Sequence, residues 1–109
     1  MSSANEKSPM NDYQLLTLIA PPSLEEPLVD WLLEFESEYG FSGFVVNGHS
    51  SRQEGLTLAE QVSGRKQHIR FDLHLPEVEL LRLVERLKQD FAGAGLHYWV
   101  TPVLAHGRV

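Results

Sequence analysis

Apolar residues along the chain fall into short patterned segments, some with a period of two and others of about 3.6. Residues 13–20, YQLLTLIA, combine aliphatic residues with β-formers and stop at Pro21-Pro22, which predicts a strand. In SLEEPLVDWLLEFESEYG, residues 23–40, the residues Leu24, Leu28, Trp31, Leu32 and Phe35 recur at helical spacing. Ser23 and Glu26 have the spacing of a capping box, Pro27 falls in the first turn, and Gly40 supplies a stop. FSGFVV, residues 41–46, predicts a second strand. In residues 66–75, Ile69, Phe71, Leu73 and Leu75 alternate with His68, Arg70, Asp72 and His74, the signature of a half-buried strand. Pro76 then opens a second helix at its first position, with Leu80, Leu81, Val84, Leu87 and Phe91 as the apolar stripe. AGAG at 92–95 breaks it, LHYWVTPV at 96–103 predicts a last strand, and AHGRV is a tail.

The order β-α-β-β-α-β predicts an α+β, ferredoxin-like fold. Right-handed crossovers put both helices on one face of a four-stranded antiparallel sheet. Residues 1–11 are polar and read as a disordered N-terminal tail, in which Met10 is a second candidate start. Residues 12–109 form one domain, with no linker or repeat inside it. The first, second and last strands are apolar on both faces: Leu15 and Ile19 oppose Leu16 and Leu18, and Trp99 opposes Tyr98 and Val100. Two helices cover one face only. The other face calls for a second copy, because monomers rarely expose so large an apolar patch.

The segment between strands two and three, residues 47–67, is NGHSSRQEGLTLAEQVSGRKQ. Hairpin loops usually take two to five residues. This one is polar, with Leu56, Leu58 and Val62 expected to pin its second half and Gly48–Gly55 expected to be mobile.

Charge and composition narrow the function. The 109 residues carry a net charge of −6 and no cysteine. The acidic balance argues against a nucleic-acid partner, since phosphate backbones are met by clustered Lys and Arg. Disulfides and thiolate chemistry are excluded, which suits a cytoplasmic protein. No apolar run reaches the ~20 residues that span a bilayer, and the N-terminus lacks the apolar core of a secretory signal. Enzyme signals are poor. His49, Ser50 and Ser51 are adjacent without the geometry of a triad, and no phosphate-binding G-x-x-x-x-G-K-[ST] occurs. The five histidines, His49, His68, His74, His97 and His106, match no metal-binding spacing, and surface or interface histidines are the plainer reading. Arg52, Gly64-Arg65-Lys66 and Arg108 could clamp a small anion or could be solvated charge. The row His68, Arg70, Asp72 and His74 reads either as an intersubunit network or as a ligand-binding row, and buried charges there must be paired.

Three stretches, Gly48–His49, Leu58–Arg65 (LAEQVSGR) and His97–Val103 (HYWVTPV), resemble a small domain-of-unknown-function branch of the PII-like superfamily over about residues 12–108. That superfamily includes the PII signal-transduction proteins and the CutA divalent-ion-tolerance proteins. The resemblance implies a homotrimer with ligand sites in the clefts between subunits. It also implies that the 48–65 loop is the effector loop, acting on a protein target. Some members of the branch are encoded beside heavy-metal efflux systems. In PII proteins the turn before the last strand holds nucleotide phosphates with glycines and basic side chains. Here Gly93 and Gly95 remain, without Lys or Arg beside them. The implied ligand-binding residues are His49, Arg52, Gly64, Arg65, Gly93, Gly95 and Arg108, with His49 and His106 for a divalent metal ion. The expected function is therefore a regulatory, ligand-sensing trimer that takes a small anion and is not an enzyme. The alternative is a CutA-like metal-binding protein of metal homeostasis.

Overall fold

A computed structural model of the protein describes residues 12–35, 39–49 and 65–109. The expected tail at 1–11, the loop residues 50–64 with Arg52, Gly64 and the pinning Leu56, Leu58 and Val62, and the side chain of Arg65 lie outside the described residues. The elements run β1 (Tyr13–Ala20), a short 3-10 turn (Pro22–Leu24), α1 (Glu25–Phe35), β2 (Ser42–His49), β3 (Arg65–Pro76), α2 (Glu77–Asp90) and β4 (His97–Pro102). All strand pairs are antiparallel, in the order β2-β3-β1-β4. This is the α+β, ferredoxin-like sheet that the apolar pattern predicts.

Period-two alternation puts Leu16, Leu18 and Ala20 of β1 beside Ile69, Phe71, Leu73 and Leu75 of β3 on the helix side. Leu28 and Leu32 of α1 and Leu80, Leu83, Val84 and Leu87 of α2 close the core over them. Each such side chain contributes about 1.5–3 kcal/mol of transfer free energy, so this layer supplies the main drive to fold. On β2, Gly43 sits where any Cβ would lie 2.9 Å from Cε1 of Phe71, so the absent side chain makes room for the ring.

Several local expectations are corrected. Ser23 and Glu26 form no capping box: Pro22–Leu24 is a 3-10 turn whose N-cap, Pro21, has no side-chain hydrogen bond, and Glu26 already lies inside α1. The backbone bond from Leu24 N–H to the Pro21 carbonyl, 2.9 Å, starts the turn instead. Pro76 is the N-cap of α2 rather than its first residue, with ψ of 148°, because it also ends β3. Leu81 is exposed and Leu83 takes its place in the core. The strand–helix junction at Pro76 sets which phase of the helix meets the sheet, and Leu80, Leu83, Val84 and Leu87 keep the i, i+3, i+4, i+7 stripe. The strand bounds also move, since β2 runs on to His49 and is longer at that end than the 41–46 expected.

Candidate functional site

The face of the sheet opposite the helices carries the polar row of β3. Register places Phe44, Arg70, Ile19 and His97 in one line across the four strands. Ser42, Asp72, Thr17 and Trp99 form the next. Ser42, Phe44, His97 and Trp99 are exposed on this face, whereas Thr17 is buried. Arg70 Nε donates to Asp72 Oδ1 at 3.0 Å, and the Thr17 hydroxyl donates to the same oxygen at 3.0 Å. Arg70 Nη2 also lies 3.5 Å from Thr17 Oγ1. The guanidinium sits between two rings, 5.6 Å from the centre of Phe44 and 5.8 Å from that of Trp99. Thr17 is fully buried beneath this arrangement, while Phe44 and Trp99 remain 45% exposed. A planar cation between two aromatic faces is fixed in orientation, and Asp72 fixes its edge. The result is a rigid polar centre flanked by exposed aromatic surface.

Alternation within β3 marks Arg70 and Asp72 as a polar row. Their partners Thr17, Phe44 and Trp99 are invisible until the pairing register is known, because they come from three other strands. Trp31, the second tryptophan, is structural. Its indole Nε1 donates to Asp90 Oδ2 at 2.7 Å and its ring stacks on Phe35 at 5.1 Å, so it ties α1 to α2.

The remaining candidates separate into two groups. His49 and Arg65 are paired at the outer end of the β2–β3 hairpin. The α2–β4 turn lies at the same end of the fold, with Gly93 at φ 73° and Gly95 at φ 90°, both in the left-handed region that glycine alone enters freely. A Cβ added at Gly95 would lie 3.6 Å from Cγ of Pro21, just past the end of β1, so the turn passes close to that end of the sheet. The C-terminal tail is elsewhere. His106 packs on Tyr13, ring centres 4.2 Å apart, and Tyr13 pairs with Pro76 at the far end of β3. Between the partners of His49 and of Tyr13, β3 runs from Arg65 to Pro76, roughly 35 Å at the rise of a strand. His49 and His106 therefore cannot share a metal within one chain, nor can Arg108 close a site with Arg65 there. Among the described residues there is no group of three or more His, Asp and Glu arranged to hold a metal ion.

Against this geometry, the model of one protein family, described as a protein of unknown function (DUF3240), matches residues 10–109. The chain belongs to the DUF3240 family. A crystal structure of a DUF3240 protein from Shewanella baltica OS155 is similar to this chain at 26% identity and a TM-score of 0.71, covering 90% of this chain and 97% of that one. The nitrogen regulatory PII-like protein CPII from Thiomonas intermedia K12, solved with ADP, AMP and bicarbonate, is similar at 18% identity and a TM-score of 0.64, covering 89% and 94%. The periplasmic divalent cation tolerance protein CutA from Archaeoglobus fulgidus has the same fold at 9% identity and a TM-score of 0.62, covering 88% of each chain. No curated protein matches the chain. The DUF3240 chain thus has the PII-like fold that its motifs imply, and among its described residues no helix is long and apolar enough to cross a membrane.

Proposed function

We propose that this chain is a PII-like ligand-sensing protein, not an enzyme, that works as a cytoplasmic homotrimer. Copies pack through the open sheet face, a small anionic ligand binds in the clefts between them, and the 48–65 loop reports occupancy to a protein target. The observation that carries this reading is the open face itself. Phe44 and Trp99 are large apolar groups left half in water around an Arg70–Asp72 pair already locked in geometry. Such a surface loses little entropy on association, because its side chains are held before a partner arrives. The similarity to CPII, captured with two nucleotides and bicarbonate, supports an anionic ligand. The cations Arg52, Arg65 and Lys66 of the hairpin and Arg108 of the tail supply matching charge. Because hairpin and tail stand at opposite ends of a chain, they meet on one ligand only if different copies contribute them.

The test is light scattering at micromolar concentration followed by a thermal-shift panel of nucleotides, bicarbonate, Cu, Zn, Ni and Co. A ligand at a hundredfold its Kd stabilises the protein by about 2.7 kcal/mol. A trimer stabilised by a nucleotide or bicarbonate is expected. A monomer sinks the reading, and stabilisation by a transition metal alone turns it into the CutA-like alternative.

A further inference from the structure

A second site lies on the helix side of the sheet, away from the open face and within a single chain. Between the end of α2, the turn that follows it and the edge strand β4 there is a cavity of about 200 Å³. Its floor is core: Leu18, Val84 and Leu87 are buried. Half-buried Phe91 and Leu96 form its walls, and Tyr98 and Lys88 stand at its mouth. The cause is in the local sequence. Ala92-Gly93-Ala94-Gly95 passes over this space with no side chain larger than a methyl group, and a Cβ added at Gly93 would meet nothing within 4 Å. The cavity is partly open to solvent and lined chiefly by apolar side chains. An apolar cavity of roughly 150 Å³ is enough to hold a benzene ring.

The chemistry at the mouth is specific. Lys88 carries the only charge among the residues that line the cavity, and its Nζ lies 5.7 Å from the centre of the Tyr98 ring. Because the site lies at the carbonyl end of α2, the helix dipole disfavours an anion here, and Lys88 must supply all of the attraction for one. We propose that the cavity binds a small aromatic acid, a single ring bearing a short carboxylate arm. The ring enters against Leu18, Leu87 and Phe91, and the carboxylate pairs with Lys88 Nζ. Tyr98 closes over the ring edge. All the residues that line the cavity come from one chain, although Gly93 at its rim belongs to the turn that the resemblance assigns to the inter-subunit ligand.

The experiment is a methyl-detected NMR titration of the full chain with phenylacetate, with benzyl alcohol and acetate as controls, up to about 10 mM, where weak single-ring binding is read. Phenylacetate is expected to shift the methyls of Leu18, Val84 and Leu87, while acetate leaves them unmoved. Lys88→Gln should weaken phenylacetate roughly fivefold and leave benzyl alcohol unchanged, since only the charge-assisted contact is lost. Val84→Phe fills the cavity and should abolish the shifts. Should that variant fail to fold, Ala92→Leu occupies the mouth from an exposed position and should abolish them too. The proposal is overturned if the three methyls never move, if shifts gather instead on the open face at Phe44 and Trp99, or if the filled variants bind as well as the native chain.

Discussion

Replacing Asp72 with alanine tests the polar centre of the open face directly. The substitution removes one carboxylate oxygen that accepts from both Arg70 Nε and the Thr17 hydroxyl, each at 3.0 Å. Both bonds end on a charged carboxylate, and such a bond contributes about 1.5–3 kcal/mol. Within one chain the loss is smaller than their sum, because Arg70 and Asp72 keep 31% and 25% of their side-chain surface in water and Arg70 can turn outward. The expected cost in an isolated chain is therefore about 2 kcal/mol. With the face covered by another copy, Arg70 is stranded without a counter-charge, and the cost rises to roughly 3–5 kcal/mol. For a domain of this size ~1 kcal/mol moves the melting temperature by about 4–8 °C, so the two cases separate in a thermal melt. Light scattering on the same samples reads the assembly. Asp72→Asn, which keeps an acceptor and the shape, should fall between wild type and alanine. A loss below about 0.5 kcal/mol with an unchanged mass would refute the reasoning, since the pair would then be solvated charge of no consequence.

Other outcomes follow from the packing. Gly43→Val forces atoms to within 3 Å of the buried Phe71 ring and should cost about 1–3 kcal/mol in chemical denaturation, with backbone shift confined to β2. Leu83→Ala should cost about 2–5 kcal/mol, whereas Leu81→Ala, at an exposed position, should change stability by less than about 0.5 kcal/mol. Hydrogen exchange across residues 48–65 should slow when a stabilising ligand is added, and exchange that ignores every such ligand would remove the case for a reporting loop.

Much of the fold was legible because its signals are periodic and long. The alternation in β3 identified both the core row and the polar row, and the stripe of α2 was right at Leu80, Val84 and Leu87 and wrong at one flank, where Leu81 stood for Leu83, while Phe91 lies just past the helix end. Leu81 and Leu83 flank the same stripe on opposite sides, and which flank meets the sheet depends on how Pro76 joins strand to helix, a geometric matter that composition does not report. The capping box failed for a similar reason. Ser23 and Glu26 have the right spacing, but two preceding prolines wind the chain into a 3-10 turn before α1 begins. At the site, single-strand patterns marked Arg70 and Asp72 as unusual. Their partners Thr17, Phe44 and Trp99 are 53, 26 and 29 positions from Arg70 and reach it only through the strand register.

The separation of hairpin and tail ties the two halves of the functional reading together. Arg65 and His49 lie at one end of the sheet, and His106, fixed against Tyr13, lies at the other. On the proposed reading a cleft built from Arg65 and Arg108 is made of two copies, which couples ligand binding to assembly. Anything that breaks the open face should therefore weaken the ligand even though it touches neither arginine. Asp72→Ala is such a change, because it sits mid-sheet between the two ends. At protein concentrations where light scattering shows the variant dissociated, affinity for the stabilising anion should fall at least tenfold. Raising the concentration until the assembly re-forms should restore it, as linkage requires when only the assembled form binds. Isothermal calorimetry at two concentrations makes the comparison. A dissociated variant that binds the anion with wild-type affinity would place the whole site inside one chain, which the distance between Arg65 and the Tyr13–His106 pair does not allow for a site that uses both ends.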